Sequence, residues 1–256
     1  MTADLRTQLM APEYDDVRKA TYIGLDVDSP DAAMTLVDRL SPVVDGFKIG
    51  LEMFHRAGMP FVETLLKRDL RIFLDMKLHD IPNTVAGALK AICQYPIEMV
   101  NVHALGGRAM LEAARRAVDD SPYQPLLIGV TVLTSLDDHD INQLGLLGSA
   151  SGAVLRLADL VQASGLDGIV CSAQELDLLK ERVAPNFERV VPGTRLASAD
   201  THDQARTRTP YEALAAGATR LVFARAVLQA PDPLVALADH WHNMKCRSDS
   251  NHELDA

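Results

Sequence analysis

Three observations predict an α/β fold, a single-domain (β/α)8 (TIM) barrel. The chain carries eight short apolar stretches of strand length, a helical pattern follows each, and no linker or composition shift divides its 256 residues. A chain of this length buries roughly three-quarters of its unfolded surface. The alternative α/β architecture, a doubly wound open sheet, usually carries a Gly-x-Gly-x-x-Gly turn after its first strand; none is present here. The expected layout is a polar N-terminal extension over residues 1–20, partly ordered at best, a catalytic barrel over 21–245 and a polar tail over 246–256. The three histidines from His240 onward are read with that solvated end.

Each element has a local reason. Tyr22-Ile-Gly-Leu-Asp-Val27 is a short apolar strand, and Ser29-Pro30 supplies an N-cap and a first-turn proline for a helix through Leu40. Gly46 to Gly50 is the second strand, followed by a helix to about Asp69. The third covers 71–77, and the apolar-spaced run from Val85 to Ile92 is its helix, with Pro82 near the first turn. Met99 to Ala104 is the fourth, with a helix from Arg108 to Val118. Pro125 to Thr134 is the fifth, followed by a polar connection and a helix from about Ala153 to Ser164. Gly168 to Ser172 is the sixth, with a helix from Gln174 to Val183. Arg189 to Thr194 and Arg220 to Arg225 are the last two, and a final helix runs from Pro233 to about Met244.

Composition excludes some roles. A net charge of −10 without any Lys/Arg cluster argues against a nucleic-acid surface. No apolar run approaches membrane-span length, and the first 19 residues lack the basic-then-apolar order of a signal peptide. Cys93, Cys171 and Cys246 are far apart and in no metal spacing, so a reduced, cytoplasmic setting is expected.

The chemistry concentrates in Phe73-Leu-Asp-Met-Lys-Leu-His-Asp-Ile-Pro-Asn-Thr84. Leu74, Met76 and Leu78 alternate with Asp75, Lys77 and His79, the two-residue period of a strand, which places Asp75 and Lys77 on one face. The apolar lead-in Arg71-Ile-Phe-Leu74 is that of a parallel strand buried on both faces, so the pair is expected to point into a cavity. Burying two charges costs several kcal/mol each unless they are paired, a cost usually met at functional sites. Asp26, Lys48, His103, Thr134, Ser172, Arg195 and Arg225 also stand at strand ends, the face where such barrels carry their chemistry. Among these, His103 reads as a hydrogen-bonded core histidine and Ser172 as a helix N-cap. The polar stretch from Leu196 to Arg208 has no strand or helix period and reads as a lid or binding loop. Phosphate sites in these barrels commonly use the loops after the seventh and eighth strands, and Gln204 and Arg225 are suitably placed donors there.

The run Asp75-x-Lys77-x-x-Asp80-Ile-Pro-Asn-Thr84, preceded by Gly24-Leu-Asp26 and Phe47-Lys48-Ile-Gly50, resembles the orotidine 5'-phosphate decarboxylase family. Asn101-Val-His-Ala104, Val130 to Ser135, Val191-Pro-Gly-Thr-Arg195, Asp203-Gln204 and Ala224-Arg225 follow in the family's order, so the resemblance covers about residues 21–235. It implies decarboxylation of orotidine 5'-phosphate to UMP with no metal and no organic cofactor. It also implies a homodimer whose active sites are shared across the interface: Lys48, Asp75 and Lys77 from one subunit, Asp80 from the other, with Lys77 protonating C6. Asp26 and Lys48 would hold the ribose, joined by Ile81 and Thr84 of the partner. Thr134 and Pro192 would contact the pyrimidine, Gln204, Arg225 and the N–H groups near Ala224 the phosphate, and Arg195 would anchor the lid. A metal-dependent sugar-phosphate decarboxylase or aldolase, and a non-catalytic nucleotide-binding barrel, are the rival readings. Two departures stand out. The family usually has Gly-Arg-Pro where this chain has Ala224-Arg225-Ala226, and isoleucine where Thr194 stands. Alanine cannot take every backbone shape that glycine can, so a displaced phosphate loop is the consequence to look for.

Overall fold

Alternate residues of each strand point to opposite faces, and here both faces are apolar, so the sheet must be covered on both sides. A computed structural model, which describes residues 2–196 and 208–250, solves this by closing the sheet on itself. The strands β1 (Thr21–Gly24), β2 (Gly46–Gly50), β3 (Arg71–Leu78), β4 (Met99–His103), β5 (Leu126–Val130), β6 (Gly168–Val170), β7 (Glu188–Pro192) and β8 (Arg220–Phe223) form a parallel barrel in chain order. Tyr22 pairs with Val222 to shut it. The predicted (β/α)8 barrel is therefore the observed fold.

Inside, Tyr22, Phe73, Met99, Ile128, Val190 and Val222 pack into one buried layer, so the barrel is filled rather than hollow. Their sequence neighbours Ile23, Ile72, Leu74, Val100, Leu127, Val191 and Leu221 belong to the larger core under the helices. Continuing two residues along the inward face from this layer leads from Phe73 to Asp75 and from Met99 to Asn101. The strand period thus delivers Asp75 and Asn101 to the rim directly above the apolar plug.

The helices between strands are α3 (Pro30–Leu40), α4 (Leu51–Leu66), α5 (Pro82–Ile92), α6 (Gly107–Asp119), α7 (Asp138–Gln143), α8 (Ala150–Ala163), α9 (Leu176–Lys180) and α10 (Pro210–Ala215). Ser29 caps α3 by accepting from Ala32 N–H, and Pro30 sits in its first turn, as the sequence predicts. β1, β5 and β7 end earlier than expected, leaving Asp26, Thr134 and Arg195 on the connections beyond them. α7, α10 and the short α11 (Arg225–Leu228) were not anticipated; the first two are each opened by a capping box, from Asp137 and Thr209.

Two expectations are corrected. Residues 2–20 are not a loose extension: α1 (Thr2–Leu9), a 3-10 turn over Pro12–Tyr14 and α2 (Asp15–Ala20) bury Leu9, Tyr14 and Val17. Nor does a solvated tail begin at His240, because α12 (Pro233–Ser250) carries His240 and Trp241 into the core. The Trp241 indole stacks on Tyr14 at 6.1 Å and donates Nε1–H to Thr21 Oγ1 at 3.0 Å. The N-terminal segment and α12 pack together, and burial of their large aromatic rings outweighs the polarity that made them look exposed. At the strands' N-terminal ends the Tyr22 hydroxyl donates to Glu98 at 2.5 Å, while Arg71 pairs with Asp45 and Glu98, and Arg220 with Glu188. Burial, then the Glu98 charge, raises the Tyr22 phenol's pKa.

Candidate active site

At the opposite rim, four charges form an alternating row. Lys48 Nζ lies 3.0 Å from Asp26 Oδ1 and 3.3 Å from Asp75 Oδ2, and Lys77 Nζ donates to Asp75 Oδ1 at 2.6 Å. Lys48 and Asp75 are only 8% and 9% exposed. Isolated, each would lose several kcal/mol of hydration. Paired at about 4 Å, opposite charges recover roughly 4 kcal/mol at an effective dielectric near 20. Burial disfavours both charged forms, yet in each case the neighbours prevail. Asp75 and Asp26 hold Lys48 above the ordinary lysine range, while Lys48 and Lys77, with the Asn101 amide, hold the Asp75 carboxyl below the usual carboxylate range. Two glycines make room: a Cβ on Gly24 would stand 3.1 Å from both Asp26 and Lys48, and one on Gly50 would stand 3.0 Å from Lys48 Nζ.

The row is not built on the regular alternation the sequence suggests. Leu74 pairs with Val100, but Leu78 pairs with Val102, so β3 bulges through Asp75, Met76 and Lys77. Lys77 takes φ 48°, in the left-handed region. Within the bulge, the Lys77 N–H donates to Asn101 Oδ1 at 2.7 Å, and Asn101 Nδ2 donates to Asp75 Oδ1 at 2.7 Å. Asn101 is fully buried. Its signal in the sequence is an amide among apolar residues in a buried strand, which requires partners.

Asp26, Lys48, Asp75 and Lys77 open into a cavity of about 300 Å³, which Thr134, Pro192, Arg195, Ala224 and Arg225 also line. Phe73, Val170, Val190 and Val222 line its apolar side. Ala224 has φ −128°, outside the left-handed region that calls for glycine. A neighbouring cavity of about 570 Å³ shares Thr134 and Pro192 and extends past Asp137, Gln174 and Arg208.

Three predicted residues stand elsewhere. Asp80, Ile81 and Thr84 lie at the exposed start of α5 and do not line their own chain's cavity; Ile81 is 67% exposed. Gln204 lies outside the described residues. His103 is half-buried rather than a core histidine. Its ring stacks on His79 at 5.3 Å, and its Nδ1 accepts from Leu105 N–H at 3.5 Å. Ser172 is not the helix N-cap the sequence suggests: α9 begins at Leu176 with Glu175 in the N-cap position, and the Ser172 Oγ instead accepts from Gln174 N–H at 3.3 Å in the preceding turn. Among the described residues, no group of three or more His, Cys, Asp or Glu side chains is placed to hold a metal ion.

Fold and rim together define the class: a (β/α)8-barrel enzyme with a buried row of alternating charges at the C-terminal ends of its strands. Comparison with known proteins narrows that class. Residues 21–239 match the orotidine 5'-phosphate decarboxylase / HUMPS family, and the chain belongs to it. It is 50% identical over 216 residues to a protein of Alkalilimnicola ehrlichii named orotidine 5'-phosphate decarboxylase, covering 84% of this chain and 92% of that one. A protein of the same name from Chromobacterium violaceum is 48% identical, with 84% and 87% covered. Among solved structures, orotidine 5'-phosphate decarboxylase from Lactobacillus acidophilus superposes with a TM-score of 0.77 at 32% identity, covering 88% of this chain and 99% of that one.

Proposed function

We propose that this chain decarboxylates orotidine 5'-phosphate to UMP, the last step of de novo pyrimidine nucleotide synthesis. The observation that carries the reading is the Asp26–Lys48–Asp75–Lys77 row at the rim, in a chain 50% identical to a decarboxylase of that name. The reading needs neither a metal nor an organic cofactor.

In the reaction the bond from C6 to the carboxylate breaks, carbon dioxide leaves, and the electron pair stays at C6. Lys77 stabilises that developing charge and gives C6 a proton from Nζ; solvent then reprotonates the amine. Asp75, held ionised by its cations, stands against the substrate carboxylate, and this repulsion is larger in the bound substrate than in the transition state, where carbon dioxide is leaving, so the barrier falls. Asp26 and Lys48 hold the ribose hydroxyls, while Thr134 and Pro192 bracket the pyrimidine. Arg225, Gln204 and the N–H groups near Ala224 bind the phosphate, and Arg195 anchors the lid loop. A guanidinium matches phosphate oxygens with a fork of donors.

The working unit in this reading is a homodimer. What supports it is the position of Asp80, Ile81 and Thr84, which are exposed and outside their own cavity, and so free to complete a partner's site. Asp80 then extends the charged row, and Ile81 and Thr84 close over the ribose. The free, buried Cys93 and Cys171 support a cytoplasmic setting, and the net charge of −10 supports a small-molecule rather than a nucleic-acid partner. No helix among the described residues is long and apolar enough to cross a membrane.

The test is the loss of orotidine 5'-phosphate absorbance in the presence of EDTA. Decay to UMP is the expected outcome. UMP binding without turnover would instead indicate a disabled site, and no binding at all would return the sugar-phosphate alternatives.

A further inference from the structure

Asn101 has no task in the mechanism above, yet both ends of its side chain are committed to the site. It lies in mid-β4 on the inward face, fully buried between Val100 and Val102. Its Oδ1 accepts from the Lys77 backbone N–H and its Nδ2 donates to Asp75 Oδ1, each at 2.7 Å. A backbone donor on one side and a carboxylate acceptor on the other allow the amide only one orientation. Opposite it, three residues of β3 occupy the space of one, between the Leu74–Val100 and Leu78–Val102 pairs. The Asn101 side chain takes up the Lys77 N–H in that interval. It does so at the residue whose backbone sits at φ 48°, a conformation that persists only when its surroundings hold it.

We propose that Asn101 is a positioning residue for the decarboxylation: its amide clamps the left-handed turn at Lys77 to the Asp75 carboxylate and so sets the placement of the proton donor against the anion. This role rests on the decarboxylase reading. The amide touches only the reacting end of the row, since Asp75 Oδ1 is also the oxygen that receives Lys77 Nζ, while Oδ2 faces Lys48. The clamp therefore bears on kcat rather than on nucleotide affinity.

Asn101→Leu, close in volume but without either bond, and Asn101→Asp, which keeps the acceptor for Lys77 N–H and puts a second carboxyl against Asp75, are the variants to make. For Asn101→Leu, kcat is expected to fall by about 100-fold or more, the cost of a misplacement near 1 Å. The KM for orotidine 5'-phosphate and the Kd for UMP should stay within about threefold, as uniform binding is untouched. Asn101→Asp is expected to gain a limb that the wild type lacks: kcat rises as pH falls and the carboxyl pair takes up one shared proton, restoring a donor to Asp75. An Asn101→Leu kcat within about threefold of wild type, or a wild-type pH profile in Asn101→Asp, would overturn the role while wild-type turnover keeps the decarboxylase reading intact. Loss of UMP binding alongside turnover in both variants would also overturn it, by making Asn101 a folding residue. A wild type that does not turn over would overturn the decarboxylase reading and this role together.

Discussion

Lys77 carries an ammonium 2.6 Å from Asp75 on a backbone at φ 48°, a conformation that costs a residue with a Cβ about 1 kcal/mol. Lys77→Ala keeps that cost, removes the proton donor, and leaves Asp75 paired with Lys48. The expected outcome is a fall in kcat of about 10³-fold or more with the fold and UMP binding retained; near-normal decay of substrate absorbance would remove Lys77 from the mechanism. Asp75's depressed pKa contributes stability above the ordinary value of 3.8 that is lost as pH falls through the lower folded value. Lys48's raised pKa contributes below 10.5 and is lost as pH rises through the higher folded value. Between those limits neither of these two groups adds a slope. His240 does: buried against Phe223 at 4.8 Å, it is pushed by desolvation down to about 4, with Asp239 opposing the shift. An unfolded histidine near 6.5 binds its proton first, so stability is present above that pH and falls by about 3 kcal/mol as pH drops from 7 toward 4. Denaturant titrations across that range should show the slope, and His240→Leu should flatten it.

The bulge in β3 is the element on which the site turns. A regular strand would keep Lys77 in the ladder with β4; the irregular one frees its N–H for a side chain and brings its ammonium back onto Asp75. Among helices, α3 is governed locally, with Ser29 Oγ accepting from Ala32 N–H at 3.2 Å. Ser29→Ala should therefore cost about 1 kcal/mol, read as a lower denaturation midpoint with kcat unchanged. At β8 the proposed phosphate grip falls on Arg225, the first residue of α11, which lines the cavity. Arg225→Ala is expected to weaken UMP binding by about 2 kcal/mol, the scale of a charge-assisted hydrogen bond, and to leave phosphate-free orotidine unaffected. An equal loss for both ligands in calorimetry would place Arg225 outside the anion site.

The whole molecule is closed at one end and, in the proposed dimer, shared at the other. Tyr14, Trp241 and Thr21 tie α12 to the N-terminal segment, and the proposed dimer would complete the rim with Asp80, Ile81 and Thr84. A shared site has a distinctive consequence. Lys77→Ala and Asp80→Ala homodimers should each be nearly inactive, but after unfolding and refolding as an equal mixture, half the dimers are hybrids with one intact site. About a quarter of wild-type activity should return, as two-fold symmetry requires. No recovery in a mixture shown by mass spectrometry to contain hybrids would exclude the shared site.

Much of this molecule was legible in sequence because its causes are short-range. Apolar runs of strand length, the Ser29-Pro30 cap and charges at strand ends depend on neighbours a few residues apart, and they led to the barrel and to Asp26, Lys48, Asp75 and Lys77. The same local reading took residues 2–20 for a loose extension and His240 for part of a tail, because polarity counted along the chain does not reveal Trp241 meeting Thr21 across 220 positions. It also read β3 as regular and left Asn101 without work. Only the tertiary structure decided those points, because a buried polar group or ring is satisfied by whatever stands beside it in space, and closure of the barrel chooses that neighbour.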